Sequence, residues 1–215
     1  MLMIIRYFVF MFFFTCFTSF AQISVGGRVG VNFASVTANE FTAMDKSKTG
    51  INIGAIGSVP MGKTGKLFGI GELVLNQKGG SNNVSVNNSM VYLEFLPMLR
   101  YIISIKDNFP LSVFFNAGPY FGIKFGRSFV PAAASETEIK TNTFEFGGGA
   151  GGGVMYAVGN SGSIFVEYRH QFALSSLSGT THERNQLHAL SAGYLFHFTA
   201  KTQEEVDKGV KNGFE

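Results

Sequence analysis

Two stretches decide the fold: Val91-Tyr-Leu-Glu-Phe-Leu-Pro-Met-Leu-Arg-Tyr101 and Leu111-Ser-Val-Phe-Phe-Asn-Ala-Gly-Pro-Tyr-Phe-Gly-Ile-Lys124. In the first, Val91, Leu93, Phe95, Leu99 and Tyr101 are apolar and alternate with positions that include Glu94 and Arg100. In the second, Leu111, Val113, Phe115, Ala117, Phe121 and Ile123 alternate with Ser112, Asn116, Gly118, Gly122 and Lys124. A period of two marks a strand with unlike faces. The intervening Lys106-Asp-Asn-Phe-Pro110 is a turn cluster, so the pair reads as a hairpin. Both segments exceed ten residues, long for a soluble strand but sufficient to cross a bilayer at a tilt.

The same pattern recurs on both sides of the hairpin. Residues 22–34, 49–60 and 66–77 precede it, and residues 143–158, 163–174 and 186–198 follow, giving eight strands. The third is the least regular, because Phe68 and Ile70 share a face with Glu72 and Asn76. The connections alternate between long and short, which gathers the short turns and both termini at one end. That asymmetry and the even strand count are features of outer-membrane barrels. The reading is therefore all-β: an eight-stranded antiparallel up-and-down transmembrane β-barrel.

The first residues qualify the composition. Residues 1–21 carry one charge, Arg6, then the apolar run Tyr7-Phe-Val-Phe-Met-Phe-Phe-Phe14 and the small-residue site Ser19-Phe-Ala21. This is the layout of a secretory signal peptide cut after Ala21, rather than a membrane anchor, because the apolar run is short. Cys16, the only cysteine, lies within it; Phe14-Thr15 before it is a poor match to a lipidation site. Loss of Arg6 lowers the formal charge from +3 to +2, and no basic cluster is present, so nucleic acid is not an expected partner. Past residue 21 no apolar run reaches 18 residues, so only a barrel makes this chain an integral membrane protein.

Alternation alone also suits a secreted, lipocalin-like barrel that binds a small ligand. Side-chain size argues for the membrane. Gly26, Gly30, Gly54, Gly118, Gly122, Gly147, Gly149, Gly151 and Gly153 crowd the polar face, whereas Phe33, Phe95, Phe121, Phe146, Phe172 and Phe196 load the apolar one. An eight-stranded barrel is narrow, so small residues are expected inside and large ones outside. Lipid is then the expected surrounding, since such an outer face would aggregate in water. Charges enclosed in the lumen need partners. Arg28, Arg100, Lys124 and Arg169 are expected to meet Glu72, Glu94, Glu145 and Glu167, four against four, as a structural network. Tyr92, Tyr101, Tyr120, Tyr156, Tyr168 and Tyr194 are candidates for the interfacial aromatic girdles. Pro97 and Pro119 fall within strands and predict local bulges. Residues 199–215 form a charged periplasmic tail, with apolar residues at Val206, Val210 and Phe214 that also suit a short amphipathic helix.

Gly27-Arg-Val-Gly-Val-Asn-Phe33, Tyr92-Leu-Glu-Phe-Leu-Pro-Met-Leu-Arg-Tyr101, Asn116-Ala-Gly-Pro-Tyr-Phe-Gly122, Val166-Glu-Tyr-Arg169 and Leu190-Ser-Ala-Gly-Tyr-Leu-Phe196 occur in this order over residues 22–198. Together they resemble the outer-membrane β-barrel domain family, the porin or PorT type common in Bacteroidetes-type bacteria. The resemblance implies a bacterial outer-membrane barrel, in a family whose members usually have no assigned function. The chain departs from many such barrels in continuing past its last aromatic strand, so Phe198 is not terminal.

No motif carries recognisable chemistry. Gly147-x-Gly149-x-x-Gly152 matches a dinucleotide string but lies in a strand pattern with no helix to follow. His170, His182, His188 and His197 lack metal-ligand spacing. A rim hydrolase or acyltransferase would have to use Ser176, Ser178, His182 and Glu183, a set that loop composition explains equally well. The expectation is a non-enzymatic barrel with no cofactor, monomeric and bathed in outer-membrane lipid. Its role is structural, adhesive or in assembly, with long external loops carrying specificity; the alternative is a narrow transport pore. Barrel-assembly machinery and periplasmic or cell-surface proteins are the expected protein partners. The mature chain is expected to begin at Gln22, which intact-mass measurement of the membrane-inserted protein checks; retention of residues 1–21 would make the segment an anchor.

Overall fold

Strands with one apolar and one polar face need two different surroundings, and curling the sheet on itself supplies them. The computed structural model describes residues 22–37, 46–62, 64–81, 87–106, 109–127, 142–159, 161–176 and 184–199. The expected signal peptide, the tail and most of the four long connections lie outside these residues. The described strands are β1 Gln22–Thr37, β2 Lys46–Met61, β3 Leu67–Ser81, β4 Asn87–Ser104, β5 Leu111–Arg127, β6 Phe144–Val158, β7 Gly162–Ala173 and β8 Arg184–Thr199. Each pairs antiparallel with its sequence neighbours, and β1 pairs with β8 without a break from Gln22↔Thr199 to Thr37↔Arg184. The result is a closed eight-stranded barrel with no free edge.

Most strands run further than the apolar alternation suggests, chiefly at the end bearing the long connections, here the loop end. In β3 and β4 the polar pairs Gly79↔Ser89, Gly80↔Asn88 and Ser81↔Asn87 prolong the ladder. Ladder pairing is a backbone property, so polar side chains do not terminate it once lipid no longer selects them. The opposite end, with the short turns and both chain ends of the barrel, is the turn end.

The two faces separate residue by residue. Glu94 is 0% exposed while its neighbour Phe95 is 50% exposed. Val29, Ile53, Phe115, Phe121, Phe146 and Tyr168 continue the outward apolar surface around the wall. Tyr101, Tyr156 and Tyr194 point outward near the turn end, whereas Tyr92 and Tyr120 are buried in the lumen and belong to no girdle.

The interior is not lined by small residues alone, contrary to the size argument. Ile56, Leu96, Phe114, Met155, Phe165 and Leu195 point inward and pack as a cluster. Glycines opposite them make the room. A Cβ on Gly153 would come 2.8 Å from Phe114, and one on Gly147 would come 2.7 Å from Tyr120. Gly193 leaves space for the Phe165 ring in the same way. Small and large side chains therefore alternate around the lumen and fill it.

The prolines also differ from expectation. No bulge forms at either one. The β4–β5 register is the same at Phe95↔Phe121 and Leu99↔Ala117, and Pro97 and Pro119 lie opposite each other between those rungs, where pairing lapses. The irregularities fall elsewhere, at Val91/Tyr92 on β4 and between Ser47 and Asn52 on β2. Two residues without an N–H share one rung, so the ladder loses both bonds at a single place and the strands stay aligned. The double variant Pro97→Ala/Pro119→Ala is expected to restore the rung and raise the urea midpoint of the folded barrel, by about 1 kcal/mol per bond regained. A lower midpoint would show that the prolines stabilise the seam.

Candidate functional site

Inward parity places buried charged residues from five strands in the lumen, where each must be neutralised by another. They form two groups. In the first, Glu72 on β3 receives Nη1 and Nη2 of Arg169 on β7, both at 2.8 Å, and Nη1 of Arg28 on β1 at 2.7 Å. Glu167 lies 2.5 Å from Arg169 and 3.5 Å from Arg100. Arg100 is also held by Asn116 at 2.8 Å, and its guanidinium lies over the Phe114 ring, 4.3 Å from the centroid.

The second group lies nearer the loop end. Lys78 Nζ sits 2.5 Å from Glu94 and 2.6 Å from Glu145, and 4.6 Å above the ring of Tyr120. Tyr120 donates its hydroxyl to Glu145 at 2.9 Å, and Asn185 donates its amide to the same carboxylate. Glu94 accepts from Asn76 at 2.6 Å and from Gln171 at 3.2 Å.

Seven of the eight residues expected from the sequence, namely Arg28, Glu72, Glu94, Arg100, Glu145, Glu167 and Arg169, are buried in these groups. The eighth is corrected. Lys124 faces inward further toward the loop end and is only half-buried, and the fourth buried cation is Lys78. The sequence reading ended the third strand at Gln77, which left Lys78 in a loop. The ladder continues to Ser81 and gives Lys78 the inward parity of Glu72 and Asn76.

Neutral residues that the sequence reading passed over join the groups. Arg28 Nη2 donates to Ser191, Ser191 to Asn52, Asn52 to Asn32, Asn32 to Asn76, and Asn76 to Glu94. Every donor in this chain points the same way, from an arginine to a glutamate, an alignment in which each bond polarises the next. The signal was available in the even-numbered asparagines of β1, β2 and β3, which share the parity of the charges.

Of the proposed rim set, Ser178, His182 and Glu183 lie outside the described residues, and Ser176 stands at the edge of a described segment. His170 and His188 pack against each other on the outer wall, ring centroids 4.5 Å apart. Among the described residues no cluster of three or more His, Cys, Asp or Glu could hold a metal ion. The Gly147–Gly152 string lies wholly within β6, where its glycines accommodate neighbouring strands and side chains.

Apolar residues outside and paired charges inside describe a barrel solvated by lipid. Residues 20–179 match the family described as outer membrane protein beta-barrel domain. The chain belongs to this family. It is an outer-membrane β-barrel protein, and the soluble lipocalin-like alternative falls away. No curated protein matches it. Among solved structures it is similar to neisserial surface protein A (NspA), with 12% identity, a TM-score of 0.53, and 81% of this chain and 97% of that chain covered. It is also similar to Ail, the attachment invasion locus protein of Yersinia pestis, with 17% identity, a TM-score of 0.43 and coverage of 82% and 99%. For OprG from Pseudomonas aeruginosa the values are 12%, 0.42, 83% and 96%. At these identities the likeness concerns the fold alone.

Removing one partner from a buried ion pair strands the other, at a cost of about 3–5 kcal/mol. Lys78→Met is expected to lower the urea midpoint of this barrel by a difference of that order, because Glu94 and Glu145 lose their shared cation. Adding Glu145→Gln is expected to recover part of the loss. A strictly additive double variant would mean that the two residues act independently.

Proposed function

We propose that this outer-membrane barrel is a closed scaffold of the PorT type with a structural, adhesive or assembly role, its specificity residing in the four long connections at the loop end. The observation that carries this reading is the filled lumen. Ion pairs and the Arg28–Glu94 hydrogen-bond chain occupy one stretch of the interior, and Phe114, Phe165, Met155 and Leu195 narrow the stretch toward the turn end, where a cavity of about 210 Å³ remains. Such an interior holds the wall rigid and leaves the two rims as the surfaces on which partners are met. Residues 1–21 direct export, and the charged tail lies in the periplasm. The rim hydrolase would draw on Ser178, His182 and Glu183, which lie outside the described residues, and the transport pore would require the luminal side chains to move.

Planar-bilayer recording of the purified full chain is expected to show no unit conductance steps, in the parent and in Glu94→Ala alike. Discrete steps that change with Glu94→Ala would replace the scaffold by the pore. Deleting residues 128–141, in the longest connection, is expected to leave the heat-shifted gel band intact while abolishing binding of expressing cells to a host or bacterial surface.

A further inference from the structure

The two luminal groups are not each neutral. The arginine group sets three cations against two glutamates, and the lysine group sets one cation against two. The surplus positive charge falls on Arg100. Among the described residues it approaches a carboxylate at Glu167, 3.5 Å away, and that carboxylate has a nearer partner in Arg169 at 2.5 Å. Arg100 is 1% exposed, and its Nη1 has no hydrogen-bond partner. A buried guanidinium with a free donor and an incomplete counter-charge is a site for an anion.

A cavity lies beside it. It has a volume of about 210 Å³, sits at the turn end of the lumen, here the periplasmic side, and borders Arg100. Its wall is of two kinds. Phe68, Ile102, Met155 and Leu195 give it an apolar body. Ser24, Ser163 and His197 give it a polar side, with the imidazole between the two hydroxyls at 2.8 Å on each nitrogen. A neutral imidazole donates from one nitrogen and accepts at the other. The serine that accepts its N–H keeps its own O–H free to donate into the cavity.

From this geometry we infer that the cavity binds a small amphiphilic anion, a short-chain monocarboxylate, entering from the periplasm with its carboxylate toward Arg100. The mainly apolar wall distinguishes this ligand from inorganic phosphate or sulfate, which would leave Phe68, Ile102, Met155 and Leu195 without a partner. The inward aim of all these side chains separates the site from the lipid surface outside the wall.

The test uses the folded full-length barrel in detergent, with binding read by saturation-transfer NMR and calorimetry at constant ionic strength. Sodium hexanoate is expected to bind saturably, and Arg100→Gln to weaken it at least tenfold. Hexanol and inorganic phosphate are expected to bind at least tenfold more weakly than hexanoate. Equal binding of hexanol would mean an apolar cavity without anion selectivity, and a preference for phosphate would mean an oxyanion site; either overturns the proposal. Unchanged hexanoate binding in Arg100→Gln would mean partition into the detergent and overturns it as well. If Arg100→Gln does not give the heat-shifted band of a folded barrel, Ala157→Trp at the cavity mouth carries the same test by blocking entry, outside the charge network.

Discussion

A wall one strand thick with lipid on one side and a narrow lumen on the other admits no compromise in side-chain direction. Every second residue must be lipid-compatible, and the residues between must fit and satisfy one another inside. Glu94 and Phe95 show how sharp this is, since adjacent residues on one strand pass from complete burial to half exposure. Closure makes it possible. With no edge, the backbone hydrogen-bonding groups have partners within the wall, and the side chains are left to solve the two surroundings separately.

The interior solution is made across the barrel more than along it. Glu72 on β3 finds Arg169 on β7, and Lys78 on β3 finds Glu145 on β6. These strands are not hydrogen-bonded neighbours. The contacts act as struts across the lumen, and the amide chain from Arg28 to Glu94 ties one charge group to the other. The aromatic cluster packs beyond them toward the turn end, with glycines of β6 and β8 set against its rings.

Side-chain parity is the part of this that a sequence exposes, because it depends only on the count along one strand. It places Arg28, Glu72, Glu94, Arg100, Glu145, Glu167 and Arg169 on one face without further information. Pairing partners depend instead on shear and curvature, which bring distant strands face to face and leave no periodic trace. Lys78 is hidden for a different reason. The apolar signal lapses where the strand leaves the lipid, while the ladder, being backbone, goes on. Phe114 and Tyr120 interrupt the polar face of β5, and their fit becomes legible only when Gly153 and Gly147 stand beside them. Pro97 and Pro119 predict a distortion when each is read alone. Their positions in register cancel it, and register is a property of two strands.

The seam between β1 and β8 has a consequence for how such a wall is made. Its unbroken pairing, from Gln22↔Thr199 to Thr37↔Arg184, joins the two ends of the barrel sequence. Contacts at that separation carry a large loop-closure entropy and form late. Until β8 arrives, β1 offers an open edge, and Arg28 lacks Ser191. A chain that lacks β8 therefore cannot complete this barrel. Until its last strand is present, the first strand remains an edge without its partner, and closure waits on the meeting of the two.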